Sequence, residues 1–163
     1  MRYLSKKIRY LTIVAVWGVC TTIVSAQNKT PAQLLNACGI SLSPPKLVEF
    51  LERGFPQGSP WEKILTEPIP ATQLTIFAIK ELARKQSRLA VPVLIKTARG
   101  EFTPGERALV NYDCSALSPS RQKKEKSLLY EYIRFNAVNA LGLIGDTRGL
   151  PVLQQVFEKA WNK

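Results

Sequence analysis

The chain contains no histidine, and this absence excludes several kinds of chemistry. Histidine is the usual general base at neutral pH, and it completes the Ser-His-Asp and Cys-His catalytic arrangements. It is also the commonest side-chain metal ligand. The sequence has no phosphate-binding glycine loop and no nucleophile paired with a base. We therefore predict a protein that is not an enzyme and that holds neither a metal nor another cofactor.

Acidic residues are also scarce, because 12 Asp and Glu stand against 23 Lys and Arg, for a formal net charge of +11. Hydrophobic residues make up 45% of the 163 residues, which is ordinary for one globular domain with its own core. The aromatic residues do not alternate with the basic ones, so nucleic acid is not the expected partner. We expect the partner to be another protein, acidic on its contact surface.

Residues 1–26 have the three parts of a secretory signal peptide. A basic start at residues 2–9 is followed by an uncharged run from Leu11 to Ala26. Val24-Ser25-Ala26 places small residues where a signal peptidase reads them, which predicts cleavage before Gln27. The alternative is an uncleaved membrane anchor, but the run is shorter than the roughly 20 apolar residues that a bilayer span needs. We expect export to the periplasm or cell envelope of a bacterium, or secretion.

Cleavage at that point would leave two cysteines, Cys38 and Cys114, in a mature chain that spans residues 27–163. It would remove four of the 23 basic residues and no acidic residue, so the mature chain would remain basic with 19 against 12. An oxidising compartment favours a disulfide between the two cysteines, which would close a loop of about 76 residues. Such a bridge contributes on the order of 4 kcal/mol when unstrained. Two buried thiols are the alternative.

Two segments of the chain repeat one pattern without gaps, so that all matched residues share a single offset along the sequence. Each segment has apolar residues at three- and four-residue steps on both sides of a short turn, which predicts two helices in a hairpin. The prolines of the two copies fit the first turn of each second helix, where a missing N–H costs nothing. The matched pairs are Ala78 with Ala137, Leu82 with Leu141, Pro92 with Pro151 and Leu94 with Leu153.

The turn of the second copy carries its own signals. Gly142 and Gly145 lie where the first helix is expected to stop. Asp146 follows them and is predicted to cap the next helix by accepting from its free backbone N–H groups.

Upstream, residues 32–37 and 45–53 predict a further pair of shorter helices. Residues 99–126 are expected to form a long inserted loop between the two repeats, because glycine and proline recur there. A disulfide from Cys114 to Cys38 would hold this loop against the amino-terminal helix. The predicted fold is all-α, a short α-solenoid of about three antiparallel helical hairpins with one inserted loop, over residues 27–163.

The segment Ala137 to Leu153 carries the pattern Ala-Leu-Gly-x-Ile-Gly-Asp followed by Pro-x-Leu. It resembles the short HEAT-type repeat that is also found in phycobilisome lyases. The likeness is looser over residues 76–97, where Ala83 and Gln86 replace the two glycines and Ser87 replaces the Asp. The resemblance implies an α-solenoid and, usually, a surface that binds other proteins.

The resemblance also implies structural roles for Asp146 and Arg148, because in HEAT-type repeats such a pair caps a helix and bonds the neighbouring repeat. The resemblance does not imply the lyase reaction, because that family attaches a bilin inside the cell, whereas this chain is expected to be exported. A second HEAT-like family, deoxyhypusine hydroxylase, needs histidine-glutamate metal motifs, which this chain cannot form.

Two basic clusters are the candidate partner-binding residues. One lies at the turn of the earlier repeat and the other forms the densest basic run, so parallel stacking of the hairpins would place both on one positive surface. The alternative is that both are simply solvated. We predict docking of an acidic protein or of lipid headgroups, with self-association also open. The residues are Arg84, Lys85 and Arg88, and Arg121, Lys123, Lys124 and Lys126.

The leading functional hypothesis is a non-catalytic protein-binding or scaffold module. The alternative is a carrier or enzyme for a small hydrophobic or anionic ligand, by analogy with the lyase-type relatives. Tyr130, Tyr132 and Phe135 would then be of interest, because at least one must point away from the hairpin core. A third hypothesis, an anchored structural protein of the envelope, applies if the signal is not cleaved.

Overall fold

Seven α-helices lie within residues 29–61 and 71–161, the part of the chain that the computed structural model describes, and this part has no β-strand. The all-α prediction is therefore confirmed. The predicted signal peptide and its cleavage site lie outside the described residues. The helices are α1 Pro31–Ala37, α2 Pro44–Arg53, α3 Ala71–Arg84, α4 Val91–Arg99, α5 Pro104–Asp113, α6 Pro119–Ile144 and α7 Leu150–Trp161.

The two copies of the repeat form the hairpins α3–α4 and α6–α7. In each, a short 3-10 turn, Arg88–Ala90 or Thr147–Gly149, leads into the second helix, whose second residue is the proline. The turns also share a left-handed residue at the aligned position, Gly145 with φ 66° and Gln86 with φ 48°. The internal repeat of the sequence is therefore a repeat of backbone structure, even where glutamine replaces glycine.

Residues 99–126 do not form the predicted inserted loop. They contain the whole of α5 and the first two turns of α6, and only short connections separate these from their neighbours. The two prolines in this segment, Pro104 and Pro119, each occupy the first turn of a helix, where proline is favoured. Gly100 does end α4, with φ 86° in the left-handed region.

Gly142 also departs from its predicted role. Helix α6 continues through it to Ile144, and Gly145 alone provides the left-handed carboxyl-terminal cap, its N–H donating to Leu141 O. A glycine inside a helix weakens the helix without necessarily ending it.

Helix α6 is the central element of the fold, because it packs along both helices of the preceding hairpin, α3 and α4. Small residues on the facing sides, Ala78, Ala137 and Ala140, are almost completely buried and let the backbones approach closely. The largest fully buried side chains come from all parts of this core, and they include Phe50, Leu35, Leu47, Leu51, Leu74, Ile79, Leu82, Leu94, Ile133 and Leu141.

Helix α5 packs on α2 and α3 and fixes the start of α3. The carboxylate of Asp113, at the end of α5, accepts from the backbone N–H groups of Ala71 at 2.6 Å and Thr72 at 2.9 Å. These are free donors of the first turn of α3, and a negative charge is favourable there. The segment expected to be a loop is thus a supporting helix of the fold.

Candidate functional site

Large hydrophobic side chains are exposed mainly on the last hairpin. Within the described residues, seven such side chains are exposed, and six of them belong to α6 and α7. We call these six the outer face. They are Leu128, Tyr132, Phe135, Leu143, Leu150 and Phe157, and the seventh, Leu89, lies in the turn before α4.

On α6 the outer-face residues form a single stripe. Leu128, Tyr132 and Phe135 follow one another at steps of four and three residues, which keeps them on one side of a helix. The buried stripe of α6, with Ile133 and Ala137, lies on the other side and meets α3 and α4. The exposed stripe therefore points away from the preceding hairpin.

On α7 the arrangement is the same. Leu150 and Phe157 are two turns apart and share a face, and they are 53% and 71% exposed. Val152, on the opposite side of α7, is buried, and α7 packs on α4 and α6. The last hairpin thus presents apolar side chains to solvent on both of its helices.

The first basic cluster is engaged in contacts within the protein. The guanidinium of Arg84 donates to both carboxylate oxygens of Glu81, at 2.8 and 2.7 Å, and this pairing holds the pKa of Glu81 below its usual range. Lys85 Nζ donates to Leu42 O at 2.7 Å, which joins α3 to the amino-terminal hairpin. Arg88 lies 4.0 Å from the carboxylate of Asp146.

The second basic cluster lies on the first two turns of α6. Arg121, Lys123 and Lys124 are exposed and Lys126 is half-buried, and none of the four forms an ion pair within the described residues. Since α6 has 26 residues, its two ends are about 39 Å apart. Arg88 lies beside Asp146, at the opposite end of α6. The expectation of one shared positive surface is therefore wrong.

Asp146 and Arg148 connect the two repeats. The side chain of Asp146 accepts from the backbone N–H of Arg148 at 3.0 Å and caps the 3-10 turn before α7. The guanidinium of Arg148 donates to both carboxylate oxygens of Asp146, at 2.9 Å, and to Arg88 O at 3.2 Å. Hydrogen bonds from Arg148 lower the pKa of Asp146 to about 2. The pair therefore caps the turn and connects the two repeats. Because the two charges neutralise each other, little of either charge is available to a ligand.

Replacing Arg148 with alanine should raise the pKa of Asp146 from about 2 toward its ordinary value of 3.8. Because folding lowers this pKa, the ion pair stabilises the fold above pH 3.8 and its contribution is lost as the pH falls through about 2. NMR titration of the Asp146 carboxyl carbon measures the pKa. Arg53→Ala is the control, since Arg53 is exposed and lies 3.7 Å from Glu49. An unchanged Asp146 pKa in Arg148→Ala would contradict this assignment.

The two cysteines, Cys38 and Cys114, are both buried. Burial raises the pKa of the Cys114 thiol. The predicted disulfide between Cys38 and Cys114 stays a prediction.

The three aromatic residues at the centre of α6 divide between two roles. Tyr130 is half-buried and stacks on Phe102, with ring centroids 4.4 Å apart. Tyr132 and Phe135 are exposed and belong to the outer face. A helical-wheel comparison of the sequence could have found this division, because Leu128, Tyr132 and Phe135 share a side that Ile133 does not.

One polar cleft lies between the end of α4 and the last hairpin. It has a volume of about 400 Å³, and its lining includes Arg99, Arg134 and Gln155. Arg134 Nε donates to Ala98 O at 2.8 Å, and Arg99 is exposed.

No group of three or more histidine, cysteine or acidic side chains within the described residues is placed to hold a metal ion. In the same residues, no helix has the length and apolar character that crossing a membrane requires.

Comparison with known proteins identifies the last hairpin. Residues 133–159 match the model of the family described as PBS lyase HEAT-like repeat. This range covers the second half of α6, the turn with Asp146 and Arg148, and most of α7. Comparisons with curated proteins and with solved structures gave no match.

Proposed function

From the premise that this chain is a HEAT-like repeat protein, we propose that it is a non-catalytic protein-binding or scaffold module. HEAT-like repeats are generally protein-interaction modules, and the outer face is the observation that carries the proposal. Monomeric soluble proteins rarely expose contiguous apolar patches of more than a few hundred Å² without a binding role. Covering such a patch with a partner gains roughly 25 cal/mol for each Å² removed from water.

The site of action in this proposal is the bacterial periplasm or cell envelope. The basic start, the uncharged run and the small residues before Gln27 support export. The basic cluster at the start of α6 supports an acidic partner, because its charges are not neutralised by ion pairs within the described residues.

Affinity capture tests the proposal. The full chain as expressed is used to capture proteins from a solubilised envelope fraction, and we expect one protein at near-stoichiometric level. Replacing Arg121, Lys123, Lys124 and Lys126 with serine should reduce the captured amount about tenfold, because the removed charges steer and hold an acidic surface. Serine at Lys80 and Lys96, which are exposed elsewhere, should leave capture unchanged. Capture of no protein would contradict the proposal.

A carrier or enzyme for a small anionic ligand is a second candidate, favoured by the polar cleft with Arg99 and Arg134. Guanidinium groups bind carboxylates and phosphates in two-point contacts. Mass spectrometry of the same eluates decides between the candidates. A small molecule that co-elutes without any protein, and that is lost in Arg134→Ala, would favour the carrier.

A further inference from the structure

We infer that the outer face binds an amphipathic helix of another protein, which carries an apolar stripe with acidic residues at one end. This inference rests on the proposed function and specifies the partner. The next helix of a longer solenoid would pack against α6 and α7 on the side away from α3 and α4. On α6 the exposed apolar stripe lies on that side, so α6 offers a further helix an apolar stripe to pack on, and α7 adds the exposed side chains of Leu150 and Phe157.

The length of the stripe sets the length of the partner helix. On α6 the exposed apolar side chains extend from Leu128 to Leu143, about 22 Å or four helical turns, with the exposed Asn139 between Phe135 and Leu143. The exposed fractions of the side chains between them are high, 48% for Tyr132 and 61% for Phe135. Aromatic side chains at the centre of an interface are the usual sites of large binding energy.

Positive charge at one end of the stripe indicates that the partner helix is acidic at the end that lies there. Lys124 and Arg121 lie four and seven residues before Leu128, so they continue the same stripe toward the start of α6. Both are exposed, and Glu125 is the only acidic residue among the charged residues at 121–126. Acidic residues one or two turns beyond the partner's apolar stripe would therefore meet unpaired positive charge.

A second copy of this chain fits the outer face less well. If two copies of α6 packed antiparallel, the basic start of one would lie against the Arg148 end of the other. If they packed parallel, the two basic starts would lie together. Neither arrangement gives the basic start of α6 an unpaired acidic partner, because Asp146 is already paired with Arg148.

A lipid surface is also less well matched. Glu131 is 69% exposed and Glu158 is exposed, and both lie beside the outer face on α6 and α7. Anionic headgroups would be repelled by these carboxylates, whereas a helix of suitable sequence can leave them in solvent.

The test uses the full chain and synthetic helical peptides of about 20 residues. The peptides share one leucine stripe and carry either glutamates or lysines in their terminal turn. We expect the glutamate peptide to bind about tenfold more tightly than the lysine peptide in fluorescence anisotropy. Phe135→Ser and Phe157→Ser should each weaken this binding about tenfold. Leu89→Ser removes an equally exposed side chain outside the outer face and should have no effect.

Any of the following results would overturn the inference. One is equal binding of the two peptides, or binding that Phe135→Ser leaves unchanged. Another is a dimer in analytical ultracentrifugation that Phe135→Ser dissociates, which would assign the face to a second copy. The third is sedimentation with phosphatidylethanolamine–phosphatidylglycerol vesicles that depends on Phe135. If the Phe135→Ser variant still captures the same envelope protein, this inference fails while the proposed function stands. If no protein is captured at all, the proposed function itself fails.

Discussion

Replacing Gly105 with alanine is expected to lower the free energy of unfolding by about 3 kcal/mol. Gly105 lies in the first turn of α5, directly against the end of α2. An added Cβ would overlap the backbone nitrogen of Gly54 and would lie 2.9 Å from Leu51 O. These neighbours are backbone atoms, so they cannot move aside as a flexible side chain would. Urea unfolding followed by circular dichroism measures the change.

Gly142→Ala is the matched control. Gly142 lies inside α6, and apart from its chain neighbours and the nearby backbone of its own helix, a Cβ at this position would meet no atom within 4 Å. Alanine is favoured over glycine within a helix, so this variant should be more stable by roughly 0.5–1 kcal/mol. The opposite signs follow from the positions of the two glycines. A Gly105→Ala variant as stable as the native chain would show that α5 does not pack on α2 as described.

Replacing Glu106 with alanine should lower the free energy of unfolding by about 2–3 kcal/mol, whereas Glu106→Gln should change it by less than about 1 kcal/mol at acidic pH. The carboxyl group of Glu106 is buried. One oxygen accepts from Thr103 N at 2.8 Å, and the other lies 2.7 Å from Thr97 Oγ1. Alanine leaves the buried Thr103 N–H without its acceptor and breaks the capping box of α5, whereas glutamine can occupy the same two positions.

The pH dependence of stability should separate Glu106→Gln from the native chain. Burial raises the pKa of Glu106 above its ordinary value of 4.5. The hydroxyl of Thr97 also lies 3.0 Å from Val93 O, and it can donate there when a protonated Glu106 donates to Thr97. The protonated form of Glu106 therefore stabilises the fold. This stabilisation is complete below pH 4.5, the ordinary pKa of the group, and it is lost as the pH rises through the higher pKa of Glu106 in the folded protein.

Urea titrations between pH 4 and pH 8 provide the measurement. The native chain should lose stability relative to Glu106→Gln as the pH rises, and the two should agree best at the acidic end. Parallel curves over this range would show that Glu106 is not held as an acid in the fold. Glu101→Gln is the control, because Glu101 is exposed and precedes the same helix.

The hairpins could be predicted from the sequence because their signals are local. The apolar spacing of α3, α6 and α7 appears in each segment alone, and the aligned prolines, Pro92 and Pro151, mark the first turns of the second helices. The internal repeat then compares one segment with another without any knowledge of their packing.

Helix α5 is not predicted from the sequence, because its proline and glycine are both typical helix breakers. The sequence did contain a signal for it, since Thr103 and Glu106 have the three-residue spacing of a capping box and Pro104 fits the first position. Local sequence signals do not explain why residue 105 is a glycine. Only the close approach of Gly54, which caps the end of the distant helix α2, requires the absence of a side chain there.

The start of α6 was missed for a different reason. Residues 121–126 are almost all charged or polar, so they show no apolar period from which a helix could be recognised. The outer face was overlooked because an exposed apolar stripe has the same spacing as a buried one. A helical wheel separates the two apolar sides of α6, but only the packing of α3 and α4 on one side shows that the other side is the exposed one.

Site-specific photo-crosslinking tests the central claim, that the outer face is where this protein binds its partner. A photoreactive amino acid is placed at Phe135 or, as the control, at Leu89, and the full chain is irradiated with the solubilised envelope fraction. We expect one crosslinked protein from position 135 and none from position 89, with the crosslink in an amphipathic helix that has an acidic end. Crosslinks from position 89 alone, or only to a second copy of this chain, would contradict it.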